Sequence, residues 1–247
     1  MTASRRPRIL IPLALELAFA LVVFAAIRAT DGGRYGLGAK AALERLVDRY
    51  RQCETYKANI VDMAGAFPHV VPKALESRVT RQYWLLYKAP NRFAGTYNHI
   101  GGPWLFVQNG QQFRVELPPK WTSPDSTRSR VTMTTAFGFV WYPPPLAYEL
   151  LLAGHDAPTL QRVRYVSVER RRGPEGRPLD VIVLEYKYER REIWVRPEGE
   201  IAAVVYRTVR EPYTEVYVGT GLGAWVHDAV FNMESFDALR EEVEGPR

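Results

Sequence analysis

Tyr83-Trp84-Leu85-Leu86-Tyr87-Lys88-Ala89-Pro90-Asn91-Arg92-Phe93 is an apolar run, a proline-containing turn and the start of a second apolar run. Side chains of a strand alternate between its two faces. Trp84 and Leu86 therefore share one face, and Tyr83, Leu85 and Tyr87 the other. Both sets are apolar, so this strand is expected to be covered on both sides, by a helix over residues 37–53 and by a ligand or lid. Farther on, Val107-Gln108-Asn109-Gly110-Gln111-Gln112-Phe113 sets Asn-Gly between two aromatic or β-branched runs, the strongest hairpin signal in the chain.

Working outward from this core, Tyr56 to Asp62, Ser77 to Lys88, Asn91 to His99, Trp104 to Val107 and Phe113 to Leu117 read as strands. Lys120 to Arg130 is polar and reads as a loop. After it, Asp180 to Tyr188 alternates, and Arg191 to Arg196, Ala202 to Arg210 and Thr214 to Val218 follow at hairpin spacing, with Pro197-Glu198-Gly199 as one turn. A last short element is expected near Val230 to Phe236, then a frayed tail from Glu241. Two helices interrupt the strands. Leu43, Leu46, Val47 and Tyr50 recur at i, i+3, i+4 and i+7 and make one apolar stripe. Pro144 to Ala153 has proline in its first turn and Gly154 at its stop. Short connections imply antiparallel pairing, and no βαβ unit is present. The expected fold class is mostly β (α+β), with one large antiparallel sheet. No repeat of fixed period is evident.

The N-terminus reads as a membrane segment. Arg5, Arg6 and Arg8 precede a 19-residue apolar run from Ile9 to Ile27, which as a helix spans ~28 Å, close to the hydrocarbon core. Its twelve Leu, Ile, Val and Phe residues favour insertion by roughly 4 to 7 kcal/mol, against about 3 kcal/mol for Glu16. The arginine bias places the N-terminus in the cytoplasm and the rest of the chain outside. The run exceeds the usual length of a cleaved signal, so a retained anchor is expected. Cleavage near Ala25 and secretion are the alternative. The expected organisation is an anchor over 1–30, a Gly-rich linker over 31–38, a sheet domain over 39–236 and a tail over 237–247.

Composition narrows the function. An apolar fraction of 47% is that of a folded chain, and 14 Tyr, 10 Phe and 6 Trp suit strands and large apolar contacts. The net charge of +6 is not a nucleic-acid signature, because Arg5, Arg6, Arg8 and Arg28 less Glu16 account for +3 of it. The densest basic stretch, Glu169 to Arg177, is short, is broken by Glu and reads as a hairpin tip, so no nucleic-acid partner is expected. The single cysteine, Cys53, allows no intrachain disulfide. His69, His99, His155 and His227 show no ligand spacing, so neither a metal nor a cofactor is expected. Gly219-Thr220-Gly221-Leu222-Gly223 lacks the spacing and the following helix of a dinucleotide fingerprint and reads as a bend. With no nucleophile elbow or zinc motif, the chain is expected not to be an enzyme, a hydrolase being the alternative.

Several motifs together carry a resemblance. A helix over 37–53 leads to the Tyr83 strand, which ends in Lys88-Ala89-Pro90-Asn91-Arg92. The Asn109-Gly110 hairpin follows, then the Leu-rich Tyr148-Glu149-Leu150-Leu151-Leu152. Last come the strands Val181 to Tyr188 and Glu192 to Val195, closed by Pro197-Glu198-Gly199. Over residues 39–236 this resembles the LolA/LolB-like periplasmic lipoprotein-carrier superfamily. The resemblance implies an unclosed, strongly curved half-barrel, with helices over its concave face and an apolar cavity between them that takes acyl chains. The retained anchor departs from soluble carriers and favours a tethered role.

The expected function is an extracytoplasmic, membrane-tethered module at the inner membrane that binds a lipid, an acyl chain or a lipidated protein. The alternative is an envelope scaffold without a ligand. Trp84, Leu86, Phe93, Trp104, Phe106, Phe113, Leu150 and Trp194 are the candidate cavity residues. An open apolar cavity of several hundred Å³ would favour ligand binding, and a packed interior scaffolding.

Overall fold

In the computed structural model, residues 38–67, 79–99, 102–110, 112–116, 145–161, 163–174, 176–208 and 212–244 are described. The expected anchor, most of the linker and the loop Lys120 to Arg130 lie outside these residues. Among the described residues no helix is long and apolar enough to cross a membrane.

Helix α1 (residues 38–51) precedes β1 (Thr55–Ala64), β2 (Val79–Lys88), β3 (Arg92–His99), β4 (Gly102–Asn109) and β5 (Gln112–Glu116). Helix α2 (Leu146–Ala153) and two short 3₁₀ turns lead to β6 (Arg164–Arg172), β7 (Pro178–Glu185), β8 (Arg190–Val195), β9 (Ile201–Arg207) and β10 (Tyr213–Leu222). A 3₁₀ turn (Asp228–Phe231) and helix α3 (Asp237–Glu244) end the chain.

The ten strands form one sheet in the order β5-β4-β3-β2-β1-β10-β9-β8-β7-β6. It is two antiparallel meanders joined where β10 returns to pair with β1, with Ile60 opposite Tyr217 and Ala64 opposite Tyr213. β5 and β6 are the edges, so the sheet is not closed. The Asn109-Gly110 turn joins β4 to β5, and Gly110 takes a φ of 61°, open to glycine at no steric cost.

Strand alternation gives the sheet two apolar faces. On the inner face, Tyr56, Ile60, Tyr83, Leu85, Tyr87 and Phe93 pack against the α1 stripe and α2. The α1 stripe is the one its sequence spacing predicts, with Leu43, Leu46, Val47 and Tyr50 all buried. A side chain at Gly95 could not fit, because its Cβ would stand 2.0 Å from the Trp84 carbonyl oxygen and 2.7 Å from the Phe106 ring. The outer face carries two separate clusters. Leu86, Ala94, Leu105 and Val107 lie under Val226, Val230, Phe231, Phe236 and Leu239. Val181, Val183, Trp194, Val205 and Val216 lie under Phe67.

Two elements differ from the sequence reading. Residues 237–244, assigned to the tail, form α3, because Leu239 is drawn into the outer face and Arg240 pairs with Glu116 of β5. β6 occupies a stretch in which no strand was expected. As an edge strand it is half-covered, and its arginines and glutamates mask the alternation. Such charges also protect an exposed edge from pairing with other chains.

Candidate functional site

The eight candidate cavity residues do not converge on one space. Phe93, Phe106 and Leu150 are buried in the inner core, and Trp104 and Phe113 pack partly buried against it. Phe93 meets the rings of Tyr87 and Tyr148, each at 4.8 Å. Leu86 lies on the outer face under the C-terminal segment. Trp84 shares its parity and stands half-buried, with the Lys57 ammonium 5.6 Å from its ring centre. Trp194 belongs to the other outer cluster. The division follows from the two-residue period. Sequence shows which side chains share a face within one strand, but relating faces between strands needs the register.

The inner face also holds a buried acid that the sequence reading passed over. Glu215 of β10 is 4% exposed. It accepts hydrogen bonds from the hydroxyls of Tyr206 at 2.8 Å and Tyr217 at 3.0 Å, and from the backbone N–H of Leu146 at 3.5 Å. The Ala147 N–H donates to the Tyr217 hydroxyl. Asp62 lies directly opposite across the β1–β10 pair and accepts from the Tyr83 hydroxyl at 3.4 Å. Burial first, and the facing Asp62 second, push the Glu215 carboxyl up to about 8. The folded protein thus favours the protonated carboxyl over the charged one. The cluster seats the first turn of α2 on the sheet and is shut off from solvent, so its role is positional. A second acid, Glu149 of α2, is also raised by burial and accepts from the Thr159 N–H at 3.0 Å.

Among the described residues, an open space lies on the outer face. A cleft of about 670 Å³ runs between the β6–β7 tip, the β8–β9 tip and the end of β10. Phe67, Leu179, Ala202, Val216 and Val218 form its apolar lining, and Pro174 and Pro197 its flanks. Phe67 is held there by local geometry. Its N–H donates to Thr214 Oγ1 at 3.2 Å, and that hydroxyl donates to the Gly65 carbonyl at 2.7 Å. The Phe67 ring then meets Trp194 edge-on at 4.9 Å. Trp194 is the one candidate cavity residue in the cluster that builds this cleft. Behind it Arg171 lies 5.7 Å from the indole and bonds Glu192, which Arg207 also clamps. Arg196, at the rim, is spent internally: its guanidinium donates to the carbonyls of Ile201 and Tyr217 and to Thr220 Oγ1, fixing the β8–β9 tip to β10.

The chemistry of this cleft is apolar capture, with a volume in the range of small-molecule sites. None of its lining residues forms a nucleophile–base pair, and among the described residues no group of three His, Cys, Asp or Glu is placed to hold a metal ion. One sequence signal pointed here. Ile201 to Tyr206 is apolar at every position and buried on both faces, so both faces of that strand had to meet apolar matter.

No protein-family model and no curated protein matches the chain. Its unclosed sheet and flanking helices are similar to those of solved structures. MucB matches with 13% identity and a TM-score of 0.45 over 78% of this chain and 62% of MucB. The lipoprotein LppX of Mycobacterium tuberculosis matches with 9% identity and a TM-score of 0.44, over 76% and 98%. A domain of an outer-membrane lipoprotein-sorting protein from Vibrio parahaemolyticus matches with 10% identity and a TM-score of 0.34, over 80% and 98%. This chain thus spans about three-fifths of MucB. Likenesses at these values carry no argument, and function has to come from the residues of this chain.

Proposed function

We propose that the chain is an extracytoplasmic binding module, tethered by Ile9 to Ile27, that holds a lipid, an acyl chain or the lipidated end of a protein. It acts by binding and not as an enzyme. The observation that carries this reading is the cleft of about 670 Å³ lined by Phe67, Leu179, Ala202, Val216 and Val218. Apolar lining of that extent is costly to leave in water, at about 25 cal/mol per Å², and an alkyl chain would relieve that cost.

The test is binding of a fluorescent fatty acid to the full chain in nanodiscs, with Ala202→Trp as the blocking variant. Ala202 is a small residue within the cleft lining, so an indole there occupies the ligand's space. Binding is expected in the wild type and is expected to fall about tenfold or more in the variant, measured at a temperature where both proteins are folded, since a larger side chain at the buried Ala202 costs about 1–3 kcal/mol. Equal binding by both proteins would remove the cleft as the site. The packing of Phe93, Phe106 and Leu150 into the inner core favours a second reading, a scaffold that holds an envelope partner without a ligand. Absence of fatty-acid binding in a folded wild type would select it.

A further inference from the structure

Among the described residues, each end of the sheet displays one exposed aromatic side chain. Trp225, 74% exposed, follows β10, and Tyr188, 72% exposed, sits in the β7–β8 turn. Their surroundings differ. The Lys187 ammonium sits 4.9 Å from the centre of the Tyr188 ring. The cleft opens instead at the Trp225 end, where Pro174, Pro197, Val218 and Gly219 form its mouth. Val195 pairs with Ile201 and with Asp180, which sets the β6–β7 and β8–β9 tips side by side, and Glu200 of the β8–β9 tip accepts from Thr220 Oγ1 at 2.7 Å and from the Leu222 N–H at 3.0 Å, which ties the end of β10 to them. Helix α1 ends there too: the Ile201 N–H donates to the Tyr50 hydroxyl, and Arg49 lies against Gly199. Arg49, Arg51, Arg172 and Arg177 are exposed around this end, with Glu54 and Glu198 among them.

We propose that this end of the sheet is the surface that meets a phospholipid bilayer, with Trp225 seated among the headgroups and the mouth of the cleft against them. The proposal rests on the cleft being the acyl-chain site and on Ile9 to Ile27 being the tether. Three arguments lead to it. An alkyl chain that crosses water exposes each methylene on the way, so a donor bilayer must touch the mouth for direct transfer. Indole is an amphipathic ring that favours the headgroup level, and Trp225, three residues beyond β10 at the same end of the sheet, is the most exposed large apolar side chain among the described residues. The arginines complement anionic headgroups. The tether permits the contact: residues 28–37, at about 3.3–3.6 Å each, reach no more than ~35 Å.

The experiment uses the full chain in proteoliposomes of phosphatidylcholine and phosphatidylglycerol. Trp225→Cys and Tyr188→Cys, each in a Cys53→Ser background, are labelled with an environment-sensitive fluorophore, and lipids brominated in the acyl chain serve as quencher. A blue-shifted, quenched probe at 225 and a water-like, unquenched probe at 188 are expected. Water-like emission at both positions, or quenching only at 188, overturns the proposal. So does a blue-shifted probe at 225 that the bromolipids leave unquenched, since that signals a protein contact. In the second arm, Trp225→Ala is expected to slow fatty-acid uptake from vesicles roughly tenfold while leaving equilibrium binding unchanged. An unchanged uptake rate overturns the role of Trp225 at the mouth. A wild type that binds no fatty acid at all instead defeats the ligand-binding reading, and the fluorophore arm still decides the membrane contact.

Discussion

The inner and outer faces of this sheet are equally apolar in sequence and are covered in different ways. On the inner face, α1 and α2 lie across the strands, and aromatic rings from β1, β2 and β3 fill the space beneath them. On the outer face the cover is split. The C-terminal segment closes the half formed by β2 to β4, whereas over β7 to β10 Phe67 is the described cover and a cleft remains. An apolar surface does not specify its own cover. A helix whose stripe matches the strand spacing gives a packed core, and a single side chain on a bent segment leaves room for a guest.

The contrast is most exposed to failure at Phe93. Phe93 is fully buried between Tyr87 and Tyr148, so Phe93→Ala is expected to cost about 3–5 kcal/mol. Urea denaturation of the full chain measures this. A loss of under about 1 kcal/mol, together with weaker fatty-acid binding, would make the inner face a cavity wall and reverse the assignment of the two faces.

A change of pH tests the seat of α2. Folding raises the Glu215 carboxyl from 4.5 to about 8, so the folded state holds a proton that the unfolded chain has released. Its contribution is fully present below about 4.5 and is lost as pH rises through about 8, with a slope of up to about 1.4 kcal/mol per pH unit. The wild type is therefore expected to melt at progressively lower temperature between pH 5 and pH 8. Glu215→Gln, which cannot ionise and keeps one of the two acceptor oxygens, should flatten that decline. Parallel curves for the two proteins would mean that Glu215 is charged in the folded state.

The smallest effect is expected at Trp84. It is half-buried on the outer face beside Lys57, so Trp84→Ala should cost about 1–2 kcal/mol, the scale of a typical single substitution plus a partly exposed cation–π contact. Fatty-acid binding should be unchanged, because Trp84 is not among the residues lining the cleft. A binding defect without unfolding would place the ligand on the β1–β2 part of the outer face.

Much of this was open to reading in one dimension because it depends on neighbours along the chain. The stripe Leu43, Leu46, Val47 and Tyr50 needs only the helical period, Asn109-Gly110 needs only a turn that accepts positive φ, and the dual apolarity of Tyr83 to Tyr87 needs only the strand period. Together these specified an antiparallel sheet that needed cover on both sides. β6 escaped because an edge strand is buried on too little of its surface to print a pattern. The outer-face helix α3 escaped because Leu239 is the one fully buried residue among its described side chains.

The site lay beyond such reading for a different reason. Whether Trp194 meets the same space as Phe93 and Phe106 depends on the pairing of β1 with β10, which joins residues about 160 positions apart, such as Tyr56 and Leu222, whereas the face of Trp84 relative to Phe93 is set by the β2–β3 register. A shift of one residue in that pairing would exchange the faces of a whole meander. The same long-range contact brings Asp62 opposite Glu215 and sets Phe67 over Trp194 and Val216. Periodicity along the chain determined which residues must be buried. Only the closing of the two meanders at β1 and β10 decided which of them share a core and which border the cleft, because that is where residues with no local relation come into contact.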